Sequence, residues 1–177
     1  MNRTHVMIAG GFAGDYTFVN PLIPNSSPVY YPGTALSNAW LYDGNYWIPV
    51  DNMSTVRDRP ACSIVQLPQG QVRVLVAGGC QDWCTRSPAI SSAEMFDPET
   101  RSWSRVADLP KPIMSAKMEL FGGLPTIIGG YDNSEQNDVL YQYHPDKDRW
   151  IPHPTKLRLA RSSPAAMLVP RQMFDDC

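Results

Sequence analysis

At 177 residues the chain is long enough for one domain with a real core, and its net charge of −2 is not the footprint of a nucleic-acid binder. Hydrophobic residues make up 43%, yet no apolar run reaches the roughly 18 residues needed to cross a membrane. Only 18% of residues are charged and 17 are proline, a punctuation that suits many short strands rather than long helices.

Met1-Asn-Arg-Thr-His leads straight into Val6-Met-Ile-Ala, an apolar stretch too short for a signal-peptide core and ended by Gly10-Gly11. Any secretion signal is therefore expected outside this chain. Residues 5–9 are predicted as the first strand. A long loop over 12–37 follows, and it carries Phe12, Tyr16, Phe18, Tyr30 and Tyr31. Strands are then predicted at 38–43 and 46–50, with Asp43-Gly-Asn as the turn between them. A second group covers 60–67, 72–77, 92–97 and 102–106, and a third covers 115–121, 124–128, 137–143 and 149–153. Residues 164–169 are predicted as one more strand, the opening of a further unit.

The groups repeat. An apolar run ending in a Gly pair occurs as Val6-Met-Ile-Ala-Gly-Gly11, Val74-Leu-Val-Ala-Gly-Gly79 and Thr126-Ile-Ile-Gly-Gly130. Each is followed by an aromatic, a polar turn and a Trp: Tyr42 and Trp47, Phe96 and Trp103, Tyr143 and Trp150. Trp-to-Trp spacings are 56 and 47 residues, and Gly-pair spacings are 68 and 51. Three copies of such a pattern near 50 residues resemble the kelch motif, a blade of a β-propeller. The fold expected is all-β, with four antiparallel strands per blade and about three blades forming part of a propeller. The blades would span about 1–53, 60–106 and 115–153. One blade cannot bury its faces alone, so blades must stack.

The first blade lacks an innermost strand, while 164–169 has the character of that strand only. A closed ring of three blades would be tighter than the usual four to eight. The expectation is therefore a segment of a larger propeller, or two copies of the chain making six blades. The neighbours expected on the open edges are the remaining blades or a second copy.

Gly10, Gly11, Gly78, Gly79, Gly129, Gly130, Trp47, Trp103 and Trp150 are read as structural repeat residues. Paired glycines at a strand end permit positive φ and close backbone approach. In propellers resembling this one, a single face is made by loops after the Gly pairs (12–37, 80–91, 131–136) and by loops joining blades (51–59, 107–114, 154–163). Loops on a rigid scaffold commonly carry function. The binding candidates on that face are Phe12, Tyr16, Tyr30, Tyr31, Arg57, Arg59, Asp82, Trp83, Tyr131, Asp132, Arg158 and Arg161. Blade-joining loops carry the basic residues Arg57, Arg59, Lys111, Lys156, Arg158 and Arg161. Asp51, Asp58 and Asp108 stand against them, and the other set carries Asp15, Asp82, Asp132 and Glu135 against Arg86, so the face is expected either to offer a basic and an acidic part to a charged peptide or to be a solvated loop surface. Arg57 and Arg161 hold the same place in their repeats, where the second repeat has Ile113.

The four cysteines leave the compartment open. Cys80 and Cys84 suit either a local disulfide or two free thiols. Zinc wants four close ligands, and the sequence offers only this pair beside the scattered His5, His144 and His153, so no metal and no cofactor are expected. A cytoplasmic setting is the main reading. The sequons Asn2-Arg-Thr, Asn25-Ser-Ser and Asn52-Met-Ser, with the Cys pair, support an extracellular alternative.

The resemblance implies a module that binds a protein partner through its loops, as adaptors of ubiquitin ligases or cytoskeletal proteins do, and no enzyme activity. Nucleic acid and membrane are not expected partners. The alternatives are a segment of a secreted kelch-type protein or of a galactose-oxidase-like copper oxidase. The oxidase site would need paired His and Tyr ligands with a Cys-modified Tyr, and this chain has three separated His.

Overall fold

Short β-rich runs separated by glycine and proline have no way to satisfy their backbone groups except by pairing with one another. The computed structural model, which describes residues 5–14, 16–18, 29–31, 33–82, 84 and 87–169, shows how they do so. The first unit contains β1 (Val6–Ala9), β6 (Ala39–Tyr42) and β7 (Trp47–Val50), paired antiparallel in the order β1-β6-β7. The second contains β8 (Ala61–Gln66), β9 (Val72–Ala77), β10 (Ala93–Asp97) and β11 (Ser102–Val106), a four-stranded meander. The third is another meander of β12 (Lys117–Phe121), β13 (Leu124–Ile128), β14 (Val139–His144) and β15 (Arg149–Lys156). The chain is all-β, an open part of a propeller. Strands β8 and β12 pack against each other, which sets them at the inner edges of their blades.

Two predicted features differ. The stretch 12–37, expected as a plain loop, contains β2 (Phe12–Ala13) paired with β5 (Thr34–Ala35), and β3 (Tyr16–Phe18) paired with β4 (Val29–Tyr31). Its aromatics at Tyr16, Tyr30 and Tyr31 thus lie on paired strands, a pairing that short polar and proline-interrupted runs conceal from a sequence reading. Residues 164–169, expected as a strand, form none. They hold the place that β8 and β12 hold in their blades, but no described strand stands beside them to accept a ladder, and Met167, Leu168 and Val169 are exposed.

The repeated aromatics join the blades. In each unit the aromatic lies directly opposite the Trp (Tyr42–Trp47, Phe96–Trp103, Tyr143–Trp150), with ring centroids 5.0–5.1 Å apart. The indole N–H of Trp103 donates to the carbonyl of Asp51 at 2.8 Å, and that of Trp150 to the carbonyl of Ala107 at 2.9 Å. Each Trp therefore ties its blade to the connection leaving the preceding one. The hydrophobic core lies between the second and third blades, around Leu75, Met95, Ile113, Met118, Ile127, Tyr141 and Trp150. Among the described residues, Trp47 has no such setting. It is 48% exposed on an open sheet face with Val6, Ile8 and Trp40, a large apolar surface that a neighbouring blade would cover.

Substituting Trp150→Phe keeps most of the ring area and removes the N–H bond, so it is expected to cost about 1–2 kcal/mol in denaturant unfolding. The same change at half-exposed Trp47 is expected to shift the midpoint by less than about 0.5 kcal/mol. Equal costs at both positions would show that the bond to Ala107 contributes nothing particular.

Candidate functional site: the loop face and its axial mouth

The Gly pairs build the loop face. The second glycine of each pair donates its N–H to one equivalent residue in the following connection: Gly11 to Arg57 at 2.7 Å, Gly79 to Ile113 at 2.9 Å and Gly130 to Arg161 at 2.8 Å. All six glycines sit at positive φ, and a Cβ on Gly10, Gly78 or Gly129 would run into the carbonyl of that same residue. Only glycine permits this approach. Through it, the loops after the Gly pairs meet the loops that join blades. Asp58 and Cys80 exchange backbone bonds at 2.8 and 2.9 Å, and Met114 and Tyr131 do so at 3.0 and 2.9 Å.

Two residues further along each connection, the chain turns into the inner edge of the next blade. Those residues, Arg59, Ser115 and Ser163, all adopt left-handed φ, at 50°, 55° and 50°. They are linked in sequence around the axis: the Ser115 amide donates to the Arg59 carbonyl at 3.1 Å, and the Ser163 amide to the Ser115 carbonyl at 2.7 Å. Together with Pro60, Ala116 and Pro164 they line a pocket of about 270 Å³ at the mouth of the propeller axis. No glycine holds these three strained positions, and left-handed residues that are not glycine gather at ligand-contacting sites. Arg59 supplies the charge there. Its side chain is 49% exposed, and its Nε lies 3.6 Å from Asp58, too far for a tight pair.

One pair of charges meets across the two loop sets, where the backbone bridges bring the loops into contact. Lys111 Nζ stands 2.6 Å from Asp132, and the carboxylate also caps the amides of Ser134 and Glu135. The Lys111 hydrogen bond, with those of the Glu135 and Ser134 amides, holds the Asp132 carboxyl well below the ordinary range. Asp132 is therefore engaged in joining loops. Asn133 adds to this link, accepting from the Ala89 amide at 2.6 Å.

Arg57, expected on the binding face, is fully buried. Its guanidinium crosses from the first connection into the second blade, donating to the carbonyls of Gly78 at 2.9 Å and Ser92 at 2.7 Å, to the Ser92 hydroxyl and to Glu94 at 3.0 Å. Glu94 accepts a further bond from the Ser54 amide at 2.7 Å. Burial works against the Glu94 charge, but the Ser54 amide and Arg57 outweigh it and hold the carboxyl below its ordinary value. Burial likewise lowers Arg57. A sequence reading misses this because the acceptors lie 21 to 37 residues away. The signal was in the repeat alignment: the equivalent Ile113 packs in an apolar junction with Leu109 and Tyr141, so this position faces the next blade.

Arg158 and Arg161 are exposed, and among the described residues neither has a carboxylate in ion-pair range. Phe12 and Tyr131 are half-buried, Tyr131 against Cys80, Cys84, Ala89 and Met114. Asp82 is exposed, and Trp83 lies outside the described residues. Cys80 and Cys84 are joined by a disulfide, the first of the two readings of that pair. Of the candidates, the mouth brings in Arg59 alone and adds Ser115, expected at the start of a strand, and Ser163, expected at the end of a loop, neither of which carries a signal of its own in the sequence.

Comparison with known proteins agrees with this architecture. The Kelch motif matches residues 73–110, the span from the second strand of the second blade to its outgoing connection. Spermatocyte protein spe-26 of Caenorhabditis elegans is 27% identical over 122 residues, covering 69% of this chain and 20% of that protein. Kelch-like protein 35 of Mus musculus is 31% identical over 127 residues, 69% of this chain and 21% of its own length. F-box/kelch-repeat protein SKIP30 of Arabidopsis thaliana is 34% identical over 84 residues, 46% of this chain and 22% of that one. The chain thus spans about a fifth of the length of these relatives. The solved structure of YjhT shares the fold with a TM-score of 0.60 at 11% identity, over 71% of this chain and 46% of that one. With three Gly-pair blades, a matched motif and relatives named for the same repeat, the chain is a kelch-repeat protein.

Proposed function

We propose that this chain is a protein-interaction module whose axial mouth takes a carboxylate-bearing segment of its partner. The observation that carries the proposal is the convergence of Arg59, Ser115 and Ser163, one from each successive connection, on one open pocket. A partly exposed guanidinium offers a planar fork to a carboxylate, and two hydroxyls beside it can donate to the same group. The other cations of this face strengthen the bias: Arg158 and Arg161 are exposed and have no carboxylate in ion-pair range among the described residues, whereas the acidic Asp132 is already taken by Lys111. An adaptor role, for a ubiquitin ligase or for the cytoskeleton, is the finer form of this reading. The name of the F-box/kelch-repeat relative supports it.

Fluorescence anisotropy against a library of short Asp/Glu-rich peptides, with their Asn/Gln counterparts as controls, tests the proposal. Acidic members are expected to bind and the amide versions are not. Arg59→Ala should weaken binding roughly tenfold, about 1.4 kcal/mol, as for one charge-assisted bond. Arg59→Glu should abolish it. Lys147→Ala, at a hairpin tip away from the mouth, should leave it unchanged. Retained affinity in Arg59→Glu would remove the mouth from consideration.

A further inference from the structure

We propose that Asp58, Cys80 and Cys84 form a binding site for a zinc-class divalent cation once the Cys80–Cys84 disulfide is reduced. The site adjoins the axial mouth through Arg59 but takes none of its ligands from the mouth residues.

Three observations carry it. The ligand atoms of Asp58, Cys80 and Cys84 all lie within 4.8 Å of one another, and all three residues are buried. The Asp58 side chain is only 9% exposed, and its carboxylate is met by the Arg59 Nε at 3.6 Å and by Cys80 Sγ at 3.9 Å. Both contacts are longer than a tight hydrogen bond, which leaves room for a closer ligand. Finally, the arrangement is held rigidly from outside. Asp58 and Cys80 are locked together by their reciprocal backbone bonds, and Ala89, Met114 and Tyr131 wall the cluster with apolar surface.

The geometry suits zinc. An ion about 2.3 Å from each sulfur and 2.0–2.2 Å from an oxygen keeps its ligand atoms roughly 3.5–3.8 Å apart. Cys80 Sγ is already 3.9 Å from Asp58 Oδ2. Reduction frees the two sulfurs to separate to the same spacing. Two thiolates select a soft or borderline ion over calcium or magnesium, and three protein ligands leave a fourth position for water. Two thiolates and a carboxylate around a divalent ion leave one negative charge, which Arg59 stands ready to offset.

The chemistry balances through thiol–disulfide exchange with a dithiol reductant. Its thiolate attacks one sulfur, the Cys80–Cys84 bond breaks, and the reductant closes to its own disulfide. Its two protons pass to Cys80 and Cys84. Binding of the divalent ion then displaces both protons to solvent. The oxidised and metal-bound forms exclude each other because the same two sulfurs serve both.

Cobalt(II) is the probe, read by its thiolate charge-transfer and d–d absorption under anaerobic conditions. The full chain carrying Cys62→Ser and Cys177→Ser retains only Cys80 and Cys84. Reduced with a dithiol that is then removed, it should take up one cobalt with a thiolate band, and zinc should displace the cobalt. The oxidised protein should show no band. Adding Cys80→Ser or Cys84→Ser should abolish the band, and Asp58→Asn, which removes a direct ligand, should weaken binding by at least the roughly 10–100-fold that loss of an outer-shell partner costs. Circular dichroism reports folding throughout. A reduced protein that keeps its β signal without a thiolate–cobalt band overturns the proposal. So does a reduced protein that unfolds and is not restored by zinc.

Discussion

Replacing Arg57 with alanine is expected to destabilise the protein by about 3–5 kcal/mol, because it leaves the Glu94 carboxylate buried without its cation. The loss exceeds that of an ordinary ion pair, since the Arg57 and Glu94 side chains are 0% and 2% exposed and the guanidinium also holds the Gly78 and Ser92 carbonyls. The neighbouring junction indicates how to test whether the pair itself is needed. There Ile113 holds the Arg57 position, and Tyr141, two residues before the blade aromatic, holds that of Glu94. Arg57→Ile with Glu94→Tyr should therefore recover most of the stability lost by either change alone, since replacing a buried pair with apolar residues is often neutral. Denaturant unfolding of the four proteins measures the coupling, expected at about 0.5–3 kcal/mol. A cost below about 1 kcal/mol for Arg57→Ala would mean that water reaches Glu94.

The same pair sets an acid limb. The folded Glu94 value lies below the unfolded reference of 4.5, so in acid the unfolded chain takes up the proton first. The stabilisation is complete above pH 4.5 and is lost as pH falls through the folded value. Without Arg57 the burial penalty on the charge remains, and protonation relieves it. The stability gap between wild type and Arg57→Ala is thus expected to narrow on acidification. A constant gap from pH 7 to about 3 would exclude Glu94 as the titrating group.

Gly78→Ala is the second large effect, expected to cost at least about 3 kcal/mol. Gly78 has φ of 69°, and its added Cβ would overlap the Ile113 carbonyl, the same oxygen that accepts the Gly79 amide. Neither partner can retreat: one is backbone, and the other anchors the connection to the third blade. Gly44 and Gly70 are the controls. They also have positive φ, at 100° and 89°, but a Cβ there meets nothing within 4 Å. Alanine at either should cost only the left-handed conformation, roughly 1–2 kcal/mol. If thermal unfolding gave the same shift at Gly78 and Gly44, conformational strain alone would account for the Gly pairs, and their role in close approach would fall.

The sequence by itself determined the blade. Strand positions, the Gly pairs and the aromatic–Trp pairs were legible because each depends on local pattern: alternation along a strand, turn chemistry, and a left-handed position that only glycine tolerates when backbone lies against it. The Trp residues could be read as structural because they recur with their aromatic partners. Tertiary structure decided the charged residues and the site. Arg57 and Arg161 occupy one place in the repeat, yet Arg57 is buried against Glu94 and Arg161 is exposed, because only Arg57 has a described blade beyond it. Asp132 and Lys111, assigned to different loop sets, meet at 2.6 Å. Asp58 reaches Cys80 across 22 residues through a backbone bridge that no spacing rule encodes. The mouth was hidden for the same reason: Arg59, Ser115 and Ser163 are unremarkable in their own segments and become a pocket only when three blades turn around a shared axis. Local periodicity fixes which segments are strands, whereas the partner of a charge is set by which surfaces the packed blades bring together.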